Sequence, residues 1–396
     1  MPISASIPTV DFRTAKQTMI VNVHANVPTL LIGDPGVGKS ALAAVVAQAS
    51  KRHLGILIGS TLDPTDVGGM PVVRVDGKGI DRIPLNLIQR AADSPALLFL
   101  DEISAAPPAV QAAFLRLILE RVAGDIQLHP ETRVIAACNP PEQTPGGIEL
   151  TAPLMGRVCV LRLRPSDKEI REWFATSLGA PGTELRREAL DFALTAEAAP
   201  EMLQVQIPAG AVAGNVPWGA PRAWERVVRA RAAFAEALAQ AGKNSPFDAD
   251  IDSDATPEER EIANGAQAYT VLSALMAGNV GATLAQSYQA ILSLRKDIPG
   301  VSDIVANPGG ADVPADPKKQ IAALGIVARV AEINTWAAWI YAARLREEMG
   351  FACAAVLFRV TDSPRTAKHA PDGIKARAAL LARVQRAKTA ASAARR

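Results

Sequence analysis

Residues 33–40 read Gly33-Asp34-Pro35-Gly36-Val37-Gly38-Lys39-Ser40, a complete G-x-x-x-x-G-K-[ST] run. It lies between an apolar stretch, 29–32, and an alanine-rich stretch of helical character, 40–49. A strand, a glycine-rich turn and a helix start in that order set backbone N–H groups and the positive helix end around an anion. The glycines keep side chains out of the cradle, Lys39 reaches the β- and γ-phosphates, and the Ser40 hydroxyl ligates magnesium. The chemistry implied is the binding of a nucleoside triphosphate with Mg2+.

A carboxylate pair narrows the class. Leu97-Leu98-Phe99-Leu100-Asp101-Glu102 is an apolar strand ending in two acids, and the carboxyl ends of strands are where an open α/β sheet binds ligands. Asp101 is expected beside the magnesium held by Ser40. Neighbouring residues on a strand point in opposite directions, so Glu102 is expected to turn toward the γ-phosphate and orient or deprotonate water. The next apolar run ends in Cys138-Asn139-Pro140-Pro141. Asn139 thereby reaches the same sheet edge, where a neutral amide holds water or senses the γ-phosphate without adding negative charge.

The elements that must position these groups follow from the pattern. Short apolar runs at 29–32, 54–58, 96–100, 133–137 and 158–163 alternate with helical stretches, which predicts a parallel sheet covered by helices on both faces. Residues 62–84 are rich in Gly, Pro and charge, with a hairpin signal at Val72-Val73-Arg74-Val75-Asp76-Gly77, and read as a surface insertion. After Pro165 the pattern turns helical, best at 167–177, 185–196, 221–241, 262–276 and 280–294. The expected organisation is an α/β nucleotide-binding domain at 1–165 and a helical lid at 166–296 with an acidic loop at 243–261. A linker at 297–320 and a C-terminal helical extension at 321–396 follow.

Composition sets bounds. The chain of 396 residues is 49% hydrophobic and 21% charged, and its net charge of +2 announces neither a nucleic-acid nor a membrane partner. Cys138, Cys159 and Cys353 form no C-x-x-C pair, so neither a disulfide framework nor a zinc site is indicated, and a reducing cytoplasm is the expected compartment. The first 23 residues lack the apolar core of a signal peptide, and no stretch has the length of a membrane span. The basic residues of the last helical stretch, Lys375, Arg377, Arg383, Arg386, Lys388, Arg395 and Arg396, read as a solvated face.

The order of these stations resembles the AAA+ superfamily of P-loop NTPases, and residues 139–157 resemble its MoxR group. There the first sensor Asn-Pro is followed by Glu, a glycine-containing loop and an arginine before the next strand. Asn139-Pro140, Glu142, Gly146-Gly147 and Gly156-Arg157 stand at those places. Glu120-Arg121 and Asp63-Pro64-Thr65-Asp66-Val67-Gly68-Gly69 also resemble family segments, whereas Gly147-Ile148-Glu149-Leu150 replaces the usual Gly-Thr-Tyr-Pro and Val158 the usual Phe. The resemblance implies that Arg157 is an arginine finger completing a neighbouring subunit's site. Arg222, in Gly219-Ala220-Pro221-Arg222-Ala223, would be the second sensor at the start of a lid helix. Both would stabilise charge on the transferred phosphoryl group.

By the same resemblance the chain is expected to be an ATPase that forms a ring, hexameric in the family. It would remodel or mature a protein client together with a partner carrying a von Willebrand factor A domain. Two rivals stand beside this. A nucleic-acid motor or loader is disfavoured by an aromatic content of 4% and the lack of a DNA-binding motif. A nucleotide-gated scaffold is disfavoured by the intact Lys39 and Glu102. No N-K-x-D guanine motif is present.

Overall fold

Burial on both faces turns the apolar runs at 29–33, 96–101 and 133–138 into interior strands. The computed structural model describes residues 7–143, 152–203, 217–241, 257–360 and 370–393. In chain order the strands are β1 (Thr9–Val10), β2 (Thr29–Gly33), β3 (His53–Ile58), β4 (Met70–Val73), β5 (Ile80–Ile83), β6 (Ala96–Asp101), β7 (Val122–Ala123), β8 (Ile126–Gln127), β9 (Arg133–Cys138) and β10 (Cys159–Leu163). The helices among them are α1 (Phe12–Ala25), α2 (Lys39–Ala49), α3 (Pro64–Gly68), α4 (Asn86–Asp93), α5 (Pro108–Glu120) and α6 (Ala152–Met155). Six strands form one parallel sheet in the order β1-β10-β2-β9-β6-β3. The five expected strands are all in it; the edge strand β1, only two residues long, carries no readable pattern.

Alternation along the strands divides the core. Leu31, Leu97, Phe99, Ile135 and Ala137 pack with Met19, Leu42 and Val46 on one face. Leu30, Ile32, Leu98, Leu100, Val134 and Ala136 pack with Val110, Phe114 and Leu117 on the other. Each fully buried Leu or Phe contributes about 1.5–3 kcal/mol, so together they fix the sheet edge that carries Gly33, Asp101 and Asn139.

Two antiparallel ribbons stand off this layer. β4 pairs with β5, Met70 opposite Ile83 and Val73 opposite Ile80, around a turn in which Arg74 N–H donates to the Gly79 carbonyl at 2.9 Å. This is the expected hairpin, and Met70, Val72, Val73, Ile80 and Ile83 are all exposed on it. β7 and β8 form a smaller ribbon just after α5, which the sequence pattern did not reveal.

A second compact unit begins at Asp167. Among the described residues its helices are α7 (Asp167–Ser177), α8 (Glu184–Ala198), Pro221–Ala241, Pro257–Val280, Ala282–Ser293, Val301–Ala306, Pro317–Ile333, Thr335–Ala342, Glu347–Val360 and Ala370–Ala393. One core runs through all of it, from Ile170 and Phe192 through Trp224 and Tyr288 to Trp339 and Leu380. The stretch 297–320 lies inside this unit and carries the helix Val301–Ala306. Pro257, preset for a first helical turn, starts a helix within the stretch expected as an acidic loop; residues 242–256 lie outside the described residues. In the last helix Arg377 sits over the Trp339 ring at 5.6 Å and Arg383 Nη1 donates to the Ala343 carbonyl at 3.2 Å. Those two basic residues are thus packed inward, while Lys375 and Arg386 are exposed.

Charges are buried at the centre of the helical unit. Asp191, fully buried on α8, accepts from Arg295 Nη1 at 2.6 Å, and Glu188 one turn earlier accepts from Arg231 Nε at 2.7 Å and also from Arg329. Burial alone would raise the Asp191 pKa, but Arg295, with Arg231 and Arg329, holds its carboxyl below the ordinary aspartate value.

Candidate functional site

The phosphate loop leaves β2 at Gly33 and enters α2 at Lys39. Gly38 takes φ 98°, a left-handed turn that an L side chain resists, and this swings the first N–H groups of α2 into the loop. Lys39 is only 8% exposed, so its ammonium needs partners. It donates to the carbonyls of Gly33 at 2.6 Å and Asp34 at 3.2 Å, and to Asn139 Oδ1 at 2.7 Å. The last contact joins the loop and the end of β9 in one hydrogen-bonded cluster.

Ser40 Oγ donates to Asp101 Oδ2 at 3.0 Å, while Asp101 Oδ1 accepts the Glu102 N–H at 3.0 Å. Hydroxyl and carboxylate oxygens close together are the hard donors that magnesium takes alongside phosphate oxygens, so these residues fit a nucleotide-borne Mg2+. Among the described residues no cluster of three or more His, Cys, Asp or Glu forms a metal site by itself.

Glu102 does turn away from Asp101, for a different reason from the one expected. β6 ends at Asp101, and Glu102 adopts φ 56°, a left-handed conformation uncommon outside glycine. The kink, rather than strand alternation, aims the carboxylate. Ser60 Oγ donates to Glu102 Oε2. Gly59 allows that approach, since a Cβ there would lie 2.9 Å from Ala106 Cβ and 3.2 Å from the Glu102 carbonyl.

Sequence reasoning missed Ser60, because Gly-Ser-Thr after a strand signals only a turn. It also missed the role of Gln143, whose Nε2 donates to Asp34 Oδ1 at 2.8 Å and ties the segment after Asn139 to the phosphate loop. Cys138 is buried beneath Asn139. Burial, and secondarily Asp101, push its thiol up to about 11 against the pull of Lys39, so it is an inert core group at neutral pH.

Lys39, Ser40, Asp101, Glu102 and Asn139 therefore meet at one sheet edge. Arg157 does not. β10 runs parallel to β2 with Cys159 opposite Thr29 and Leu163 opposite Gly33, which leaves Arg157 beyond the other end, about 20 Å away at 3.3 Å per residue. It is exposed, with no hydrogen bond or ion pair from its guanidinium among the described residues. Arg222 is exposed on the first turn of the helix Pro221–Ala241 and belongs to the helical unit. Gly146, Gly147 and the rest of 144–151, like Arg395 and Arg396, lie outside the described residues.

Residues 28–158 match the model of the AAA domain, dynein-related subfamily. They form an AAA+ P-loop fold. No curated protein matches the chain. Among solved structures the chain is similar to a Cytophaga hutchinsonii protein named as an ATPase, at 22% identity over 41% of this chain and 48% of that one, with a TM-score of 0.31. It thus spans about half the length of that protein. It is also similar to the RuvB Holliday junction branch migration motor of Thermotoga maritima, at 16% identity over 75% of this chain and 80% of that one, TM-score 0.36. NtrX of Brucella abortus matches at 15% identity over 64% and 56%, TM-score 0.36. Likenesses this distant add nothing to the AAA+ assignment. No helix among the described residues is long and apolar enough to cross a membrane.

Proposed function

We propose that this chain hydrolyses ATP, and that hydrolysis drives the remodelling or maturation of a protein client. The observation that carries the reading is the convergence of Lys39, Ser40, Asp101, Glu102 and Asn139 at one edge of the AAA+ sheet. In this arrangement Lys39 exchanges Asn139 and the loop carbonyls for phosphate oxygens. Asn139, released, offers its amide to the γ-phosphate or to water. Glu102 takes the proton as the water oxygen bonds to the γ-phosphorus, and the β–γ bridging oxygen leaves with its electron pair on ADP. Ser40 and Asp101 would hold a magnesium ion, which would supply neutralisation of phosphate charge.

The finer assignments belong to the same proposal. Arg157 is too far from its own phosphate loop to act there, which favours a finger working on a neighbouring subunit and hence a ring, hexameric by analogy with the MoxR group. Arg222 is the second sensor. The exposed apolar ribbon β4–β5 is a surface for a client, and a partner with a von Willebrand factor A domain is the adaptor.

The test is ATP turnover and binding of a fluorescent ATP analogue by the parent, Lys39→Ala and Glu102→Gln proteins. Lys39→Ala is expected to lose binding. Glu102→Gln is expected to keep binding and lose turnover about 100-fold or more. Parental turnover in Glu102→Gln would refute the assigned base. Tagged Glu102→Gln protein, recovered from its native cells with ATP, is expected to bring a protein client and adaptor. Recovery of nuclease-sensitive nucleic acid instead would move the reading to a nucleic-acid motor.

A further inference from the structure

A cleft of about 480 Å³ opens at the amino-terminal edge of the six-stranded sheet, the edge opposite the phosphate loop. Pro28 before β2, Arg133 at the start of β9, Glu120 and Arg121 at the end of α5, and Arg157 before β10 line it. Three arginines thus line the cleft beside one glutamate, whose carboxylate is engaged, with Arg116 Nε 3.0 Å from Glu120 Oε2. None of the three cleft arginines forms an ion pair among the described residues.

Their fixed bonds differ in a telling way. Arg133 gives Nε to the Val23 carbonyl at 2.8 Å and Nη1 to those of Pro130 and Thr132 at 2.8 and 3.0 Å, so it is locked in place and supplies mainly charge. Arg121 is anchored through Nη1 alone, to the Pro130 carbonyl at 2.8 Å, and its other nitrogens have no partner among the described residues. Carbonyls at the end of α5 would repel an anion, and two of them are covered; that of Glu120 accepts from Gln127 Nε2 at 3.4 Å. The Arg121 carbonyl accepts from Leu128 N at 2.9 Å and Gln127 Nε2 at 3.0 Å. Burial, then Arg52 and Arg121, lower the Arg133 pKa against the opposing pull of Glu131, consistent with a surplus of positive charge here.

A cationic cleft of this size with free planar donors suits a polyphosphate, which accepts paired N–H···O bonds from guanidinium. We propose that it receives the triphosphate of the nucleotide held by a second copy of this chain, and that Arg121 is a second catalytic donor beside Arg157. This rests on the reading of the chain as an ATPase completed in trans. In the second copy the water oxygen bonds to the γ-phosphorus, the proton passes to its own Glu102, and the bridging oxygen leaves on ADP. Arg121 and Arg157 hold the charge that builds on the transferred group and on that leaving oxygen.

The test uses the full chain. Arg121 has φ 55°, so asparagine, which tolerates left-handed backbone, replaces it with least strain. Arg121→Asn is expected to lower kcat about tenfold or more while KM and the affinity for a fluorescent ATP analogue change less than about twofold. Adding Glu102→Gln protein, whose own site is dead but whose arginines are intact, is expected to restore turnover to the Arg121→Asn subunits. Sedimentation with a slowly hydrolysed ATP analogue checks that both proteins assemble. If Arg157→Ala loses turnover and Arg121→Asn does not, the trans reading stands and the Arg121 assignment falls. Loss in Arg121→Asn with no rescue on mixing also overturns it, because the arginine then acts within its own chain. If Arg157→Ala keeps full turnover, the trans reading itself fails. Should Arg121→Asn fail to fold by circular dichroism, Arg121→Lys carries the test, with a several-fold kcat loss rescued by mixing as the expected result.

Discussion

Ser60 holds the carboxylate of Glu102 by a hydroxyl hydrogen bond, from a turn that closes on Glu102 only because residue 59 is glycine. A carboxylate so occupied must exchange that bond for one from water before it can work. Ser60→Ala is expected to raise basal kcat, up to about tenfold if a bond of about 1.4 kcal/mol is released, with KM unchanged. A fall in kcat, read from steady-state turnover, would mean that Ser60 instead sets the working pose.

Gln143 donates an amide hydrogen bond to the Asp34 carboxylate beside the phosphate loop, at 2.8 Å. Gln143→Ala is expected to weaken ATP binding by about three- to tenfold, since a bond to a charged group contributes about 1.5 kcal/mol or somewhat more. Gln143→Glu, which sets two carboxylates together, is expected to weaken it further. Titration of a fluorescent ATP analogue gives the order; equal affinities in all three proteins would remove Gln143 from the site.

Asp191→Ala leaves Arg295 largely buried without its counter-charge and is expected to destabilise the helical unit by about 3–5 kcal/mol. All five tryptophans lie in that unit, so urea unfolding followed by their fluorescence reads it directly. The acid dependence has a definite sign. The Asp191 pKa is lowered on folding, so its contribution is fully present above the ordinary aspartate value of about 3.9 and is lost as pH falls below it toward the folded pKa. The alanine variant should show a correspondingly shallower loss of stability in that range.

The Cys138 thiol, pushed up to about 11, is about one part in a thousand thiolate at pH 8. Iodoacetamide at pH 8 should leave it unmodified in the native protein and alkylate it in urea, as read by mass spectrometry of the peptide. Rapid alkylation of the folded protein would place Cys138 outside the core.

Five of the six strands of the sheet and the groups at its edge were readable because each rests on a local signal: a short apolar run, fully buried in β2 and nearly so in β6 and β9, and polar or charged residues at its carboxyl end. The kink at Glu102 was not, since a positive φ in a glutamate is imposed by the packing around it. Ser60 and Gln143 reach their partners across 42 and 109 positions, a separation without any periodic trace. The ion cluster around Asp191 was hidden in the same way. Glu188, Arg231, Arg295 and Arg329 are spread over 141 positions of the chain, with no spacing that announces the cluster.

The parallel sheet also dictates an order of events at the ribosome. β2, the apolar strand that launches the phosphate loop, pairs only with β9 and β10, both synthesised roughly a hundred residues or more later. Until Cys138 has emerged Thr29–Gly33 has neither neighbour, and until Leu163 it lacks one, so its unpaired amides and leucines are open to the wrong strand. Such distant pairing makes folding slow and the nascent chain sticky. The nucleotide cradle is therefore among the last features to form, and a chain cut short before β10 would aggregate before it could bind anything.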